Sequence, residues 1–325
     1  MKLRKLFIVL LTLLVVLCFA GCGSGGGSYD NPAEDDGGGG NGGGAETIPD
    51  YLCFTATGAS TVSMTVNGEL DPLPTLEYSK DKKNWTAVDL VNGGSSTPID
   101  LADGENIYFR GNNTSFSKEH DYLYFEMTGS IAASGNIMSL LDKTCKSVTI
   151  PNDYCFHWLF KDCTVLTAAP ELPATTLTPY CYSSMFSKCS NLTVAPKLPA
   201  TTLAKYCYHY MLTECSNLTA APKLPATTLA RGCYYAMFSF CSNLTVAPEL
   251  PATKLEEECY YWMFASCSIL NSITVYFTDW NVEKFSTKSW VVNVPTTGIF
   301  FHKSGLTDLT KDDSKVPANF MEQLF

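Results

Sequence analysis

Apolar residues fall into three patterns along the chain. Leu6–Leu17 is one apolar run broken only by Thr12, with Lys2, Arg4 and Lys5 ahead of it. Between residues 47 and 132, short β-branched and aromatic runs alternate with Gly, Asn and Asp turns: Cys53–Thr57, Ser60–Val66, Thr75–Ser79, Asn106–Arg110 and Tyr122–Met127. Regular strands at this spacing predict a β-sandwich. Further on, a third pattern takes over and recurs. Apolar residues stand at i, i+1, i+4, i+5 and i+8, as in Cys207, Tyr208, Met211, Leu212 and Cys215. This matches one face of about two helical turns.

The third pattern has a strict period. Cys163, Cys189, Cys215, Cys241 and Cys267 stand 26 residues apart, and Cys155, Cys181, Cys207, Cys233 and Cys259 keep the same interval. Residues 189–214 and 215–240 are near copies, and 163–188 and 241–266 match them. Within a unit, Asn-Leu-Thr-x-Ala-Pro and Ala-Thr-Thr-Leu-Ala read as extended segments, limited by prolines that cannot donate to a ladder. Cys-Tyr-x-x-Met-Phe then reads as a short helix. One unit cannot bury its apolar face alone, but stacked units can bury theirs against each other. The expected fold class is therefore an α+β repeat: a β-sandwich over 47–132, a solenoid of 26-residue units over 133–271, and a C-terminal cap over 272–325. The cap is expected to use strands Ile273–Phe277, Ser289–Val294 and Gly298–His302.

The N-terminal run is too short to cross a bilayer, which takes about 20 apolar residues. With its basic flank, residues 1–21 read as a secretion signal. The run ends in Ala20-Gly21-Cys22, which resembles a lipobox; that implies cleavage before Cys22 and acylation of its thiol. Residues 22–46 are almost entirely Gly, Ser, Asn and acidic residues after Cys22. Such a stretch buries too little apolar surface to order itself and acts as a tether. The formal net charge is −10 and the pI about 4.9. Nucleic acid is excluded as an expected partner, since phosphate binding needs basic patches.

The units resemble leucine-rich repeats of the BspA type, found in bacterial surface proteins. The resemblance covers about 137–271. It lies in Leu192-Thr193-Val194-Ala195-Pro196, in Met211-Leu212, in the closing Cys215-Ser216-Asn217-Leu218, and in Ser147-Val148-Thr149-Ile150-Pro151. It implies a leucine-rich-repeat-like solenoid and a non-enzymatic role in adhesion or protein recognition. It also implies a lipid-anchored outer-membrane location, facing outward at the cell surface.

Candidate chemistry is sparse. Seven residues separate the two cysteines within a unit, whereas structural zinc sites favour C-x2–4-C pairs, so no metal or cofactor is expected. Equivalent cysteines of adjacent units could form disulfides, or act as small buried hydrophobes. His157 and His209 lack any accompanying nucleophile motif. The variable x-x slots carry His157 and Trp158, Ser183 and Ser184, His209 and Tyr210, Tyr235 and Ala236, and Tyr261 and Trp262. Lying opposite the Cys/Met stripe, they are expected to face solvent, and Tyr and Trp are favoured at binding hot spots. Either these rings pack on neighbouring helices and simply cover the rod, or His157, Trp158, His209, Tyr210, Tyr235, Tyr261 and Trp262 form the expected ligand face. Its partner would be a host or bacterial surface protein or a glycan, with the membrane engaged through Cys22. An alternative is a glycan-binding accessory lipoprotein with its site on the sandwich, for example around Trp85.

Overall fold

The computed structural model describes residues 49–294 and 297–325. The N-terminal strands form where alternation predicts them. In β2 (Ser60–Asn67), Val62, Met64 and Val66 are buried while Thr61, Ser63 and Thr65 are not. This strand pairs antiparallel with β5 (Ile99–Leu101) and β7 (Tyr122–Thr128). A second sheet has β1 (Leu52–Ala56) between β6 (Asn106–Gly111) and β8 (Ile131–Ser134). Beyond β6 it continues with β3 (Leu76–Ser79) and the edge strand β4 (Thr86–Ala87). The two sheets meet through aromatic rings: Phe54 and Phe109 lie 5.0 and 5.3 Å from Phe125. All three are fully buried, and each contributes about 2–3 kcal/mol by leaving water.

This region is continuous with the repeats. Strand β8 pairs in parallel with β9 (Leu166–Ala168) of the first unit. Phe160 stacks on Phe125 at 5.3 Å, and Phe156 on Phe116 at 5.9 Å. The described residues form one compact unit, with an apolar cluster running from Leu52 to Phe320.

The repeats correct the expected fold. No α-helix occurs among the described residues; there are two short 3-10 turns and sheets of mixed sense. The chain is therefore not an α+β repeat, and the leucine-rich-repeat-like solenoid is not what it builds. Each Cys-Tyr-x-x-Met-Phe stretch is a row of overlapping turns. Alternate N–H groups bond backward by three residues, as His157 to Tyr154 at 2.9 Å and Lys161 to Trp158 at 3.0 Å. The intervening N–H groups bond to the next unit, as Phe156 to Cys181 at 2.8 Å, Trp158 to Ser183 at 3.1 Å and Phe160 to Met185 at 2.9 Å. An α-helix would keep all these bonds within its own segment.

The turn row requires left-handed residues. Positive φ recurs every fourth position, at Tyr154, Trp158 and Asp162, then Tyr180, Ser184 and Lys188, and onward through Trp262 and Ser266. These occupy the third position of turns such as 156–159 and 182–185, where a type II turn needs φ above zero. The conformation costs an L-residue roughly 1–2 kcal/mol. What offsets it is a backbone whose alternate groups are satisfied within the row and between rows.

The extended segments are also shorter than expected. Apart from β9, successive units meet there in isolated parallel bridges, Val194 to Ala220 and Val246 to Ser272. Prolines such as Pro196, Pro199, Pro222 and Pro225 remove the donors a longer ladder needs. Beyond the last cysteine, β10 (Ser272–Thr274), β11 (Gly298–His302) and β12 (Phe320–Leu324) form a parallel sheet. The expected strand Ser289–Val294 is instead part of a sixth turn row, with left-handed Asn281, Phe285, Ser289 and Asn293. It accepts bonds from the fifth row, Tyr260 to Ser286 at 2.8 Å and Phe264 to Trp290 at 2.8 Å. Trp290 is fully buried at the end of that core.

Candidate binding face on the turn rows

Because rows bond in register, equivalent side chains form columns. One column is wholly internal: Phe156, Tyr182, Tyr208, Tyr234 and Tyr260 stack at 5.8–6.0 Å, each at most 1% exposed. The Tyr182 hydroxyl has no hydrogen-bond partner. The twelve cysteines among the described residues are unpaired, and all but Cys145 are buried. Four of the thiols bond the preceding unit: Cys189, Cys215, Cys241 and Cys267 donate to the carbonyls of Phe160, Phe186, Leu212 and Phe238 at 3.0–3.2 Å. Burial pushes them up, Cys181, Cys233 and Cys267 to about 12, so they stay protonated at neutral pH. Among the described residues no group of three His, Cys, Asp or Glu side chains is placed to hold a metal.

The x-x slots do not all face solvent, which corrects that expectation. His157, Ser183, Ser184 and Ala236 are buried, whereas Trp158, His209, Tyr210, Tyr235 and Tyr261 are half-buried and Trp262 is 40% exposed. The cause is coverage by adjoining rows. The His157 ring stacks on Trp158 at 4.4 Å, and its Nδ1 lies 3.0 Å from the Ser183 carbonyl. Ser183 Oγ in turn lies 3.1 Å from His209 Nδ1. Burial lowers His157 to about 4; burial, then His157, lowers His209 to about 3. Both imidazoles are therefore neutral at pH 7.

Five of the seven expected residues form one contiguous patch. His209 lies 4.4 Å from Tyr210 and 5.1 Å from Tyr235. Tyr235 stacks on Tyr261 at 4.6 Å, and Tyr261 contacts Trp262 at 5.4 Å. His157 and Trp158 belong to a separate cluster, in which Tyr122 meets Trp158 at 4.3 Å. Lys161 Nζ sits 4.6–5.2 Å from the Tyr122, Tyr124 and Trp158 rings.

What joins the two clusters is a column the sequence reading did not single out. Tyr154, Tyr180 and Tyr206 stack in parallel at 4.7 and 4.9 Å, and Tyr180 reaches His209 at 6.2 Å. Each directly precedes the second cysteine of its unit, a recurrence visible in the sequence. The stack ends where the next row carries Gly232; a Cβ there would come 2.0 Å from the Tyr206 ring. The Tyr206 hydroxyl donates to Glu258, and Arg231 pairs with Glu257 and Glu258 at 3.2 and 3.4 Å. Burial, then the Glu258 bond, push the Tyr206 phenol up to about 12.

Two open grooves adjoin the N-terminal strands. One, of about 820 Å³, is lined by Tyr78, Asp81, Asn84, Asp89, Thr97 and Asp100. Another, of about 610 Å³, lies at the start of the tyrosine stack, among Asp71, Pro72, Glu119, Pro151, Asp153 and Tyr154. Trp85 is not an open platform: the Arg110 guanidinium lies 3.8 Å over its ring, and Tyr51 meets it at 5.0 Å.

The expected signal, Cys22 and the tether lie outside the described residues. No helix among the described residues is long and apolar enough to cross a membrane. No protein family, curated protein or solved structure matches the chain.

Proposed function

We propose that this chain is a non-enzymatic binding protein, held at the cell surface by lipid on Cys22, that recognises a protein partner through the aromatic face of its turn rows. The observation carrying this reading is the joined run of Tyr154, Tyr180, Tyr206, His209, Tyr210, Tyr235, Tyr261 and Trp262. Contiguous partly exposed aromatics of this kind mark interaction surfaces. Ring-on-ring packing fixes their rotamers before binding, so little side-chain entropy remains to be lost on association. The glycan alternative centred on Trp85 is weaker, because Arg110 and Tyr51 already cover that ring.

The test is binding of a soluble 48–325 fragment to host matrix proteins, mucins and glycans. A Tyr210→Asn, Trp262→Asn variant runs beside it; asparagine tolerates the left-handed backbone both positions adopt. Saturable protein binding lost in the variant is the expected result. Binding unchanged by the variant, or binding to glycans alone, refutes the reading.

A further inference from the structure

Twice in this fold an aromatic ring, a carboxylate and an arginine occur together. Arg110 lies over Trp85 and bonds Glu77 at 2.8 Å. Arg231 lies 6.0 Å from the Tyr206 ring centre, bonds its phenol oxygen at 3.1 Å, and pairs with Glu257 and Glu258. The opposite end of the tyrosine stack has the first two components and lacks the third. Tyr154 rests one face on Tyr180 and lines the 610 Å³ groove together with Asp71, Glu119 and Asp153. Glu119 and Asp153 line the same groove as the ring, and burial first, then Glu119, Tyr180 and Asp153, hold the Tyr154 phenol above its ordinary range. The one cation lining the groove, Lys118, donates its Nζ to the Asp71 carbonyl at 3.2 Å.

From this we infer that the groove at Tyr154 receives an arginine side chain from the protein partner, its guanidinium lying against the Tyr154 ring with Glu119 and Asp153 accepting its N–H groups. The inference rests on the protein-partner reading above. Arginine fits better than lysine because a planar guanidinium stacks on a ring and forks to a carboxylate, while an ammonium is a strongly hydrated point charge. The groove is walled by Pro72 and Pro151, which suits a flat group flanked by apolar surface. The chain's net charge of −10 also favours approach of a basic segment.

The experiment uses the chain from Cys22 onward, with Cys22→Ser to keep it free of lipid, and labelled nona-arginine and nona-lysine peptides at physiological salt. Fluorescence anisotropy should show nona-arginine bound more tightly, by roughly two- to fivefold, the size of an exposed cation–π contact. Tyr154→Ala should abolish the preference and Tyr154→Phe should keep it. Glu119→Gln with Asp153→Asn, both at exposed positions, should also abolish it. An Asp312→Asn, Asp313→Asn control removes the same charge elsewhere and should weaken both peptides equally or not at all. Equal affinity for the two peptides, or a preference that survives Tyr154→Ala or the carboxylate pair variant, overturns the inference. Because the peptide preference is read without the partner, it can fail while the Tyr210, Trp262 variant still abolishes partner binding, and the reverse.

Discussion

Gly232→Ala should destabilise the fold by about 2–3 kcal/mol, and the reason can be divided in two. Gly232 has φ +57, so any L-residue there carries a left-handed cost of roughly 1 kcal/mol or somewhat more. Four equivalent positions, Tyr154, Tyr180, Tyr206 and Glu258, already carry that cost, with φ between 53 and 59. What is particular to Gly232 is the Tyr206 ring: an added Cβ would stand 2.0, 2.2 and 2.8 Å from three of its atoms. The ring must swing aside. In doing so it gives up the bond to Glu258, the contact with Arg231 and the stack on Tyr180, worth about 1 kcal/mol or more together. Urea unfolding of Gly232→Ala, Tyr206→Ala and the double variant measures both parts. In the double variant the collision is gone, so the two changes should cost less together than the sum of each alone, by at least about 1 kcal/mol. Strict additivity, or a Gly232→Ala cost under about 0.5 kcal/mol, would refute the argument that the ring occupies the space over Gly232.

Other outcomes follow from the same geometry. Tyr182→Phe should raise stability by about 1 kcal/mol, since it removes a buried hydroxyl with no partner and phenylalanine already serves at Phe156 in the row before; a loss of stability in thermal melts would count against it. Ser184→Gly should gain up to about 1 kcal/mol by relieving φ +52. Stability should fall on acidification. The folded values of His157 and His209, about 4 and about 3, lie below the unfolded value of about 6.5. The unfolded chain therefore binds more protons below that value, and stability drops as pH falls through 6.5 toward 4, by about 3 kcal/mol per histidine, about 2 kcal/mol of it between pH 7 and pH 5. A flat urea midpoint between pH 7 and pH 5 would contradict that. In thiol titration of 48–325, Cys145 should react first and slowly, its thiol pushed up to about 11 by burial, Asp142 and Asp50. The other eleven should react only with unfolding; fast modification of several native thiols would be inconsistent with their burial.

The strands of the N-terminal region were legible because one buried face imposes alternation. The expected Asn106–Arg110 and Tyr122–Met127 lie within β6 and β7 as observed. The turn rows were legible as apolar spacing and not as conformation. Cys155, Phe156, Leu159, Phe160 and Cys163 are all buried, the set that a helix of 3.6 residues per turn would bury. A turn recurring every four residues gives nearly the same period, so spacing alone cannot separate them. Composition did not help either, because Tyr, Trp, Ser and Lys hold the left-handed positions where Gly is the usual signal. Gly232 was the sole glycine among those positions in the five rows. The sixth row escaped notice because 27 residues, not 26, separate Glu258 from Phe285. The aromatic face proposed to bind was half legible. The x-x slots led to His209, Tyr210, Tyr235, Tyr261 and Trp262, but burial of His157 by its neighbours depends on rings brought from residues 122 and 154.

Registered bonding between rows has a consequence for inheritance. The backbone of each row bonds to the rows on either side, through groups that do not depend on side-chain identity. A duplicated stretch of 26 residues can therefore be spliced in, or an existing one lost, with the backbone bonding pattern continued through the remainder. Residues 189–214 and 215–240 are still near copies of one another, as a recent duplication would leave them. Copy number then sets the length of the aromatic face in steps of about one strand spacing, roughly 4.8 Å. Substitution at a few slots per copy sets its chemistry. The length of the face and its surface chemistry can thus change by separate genetic events.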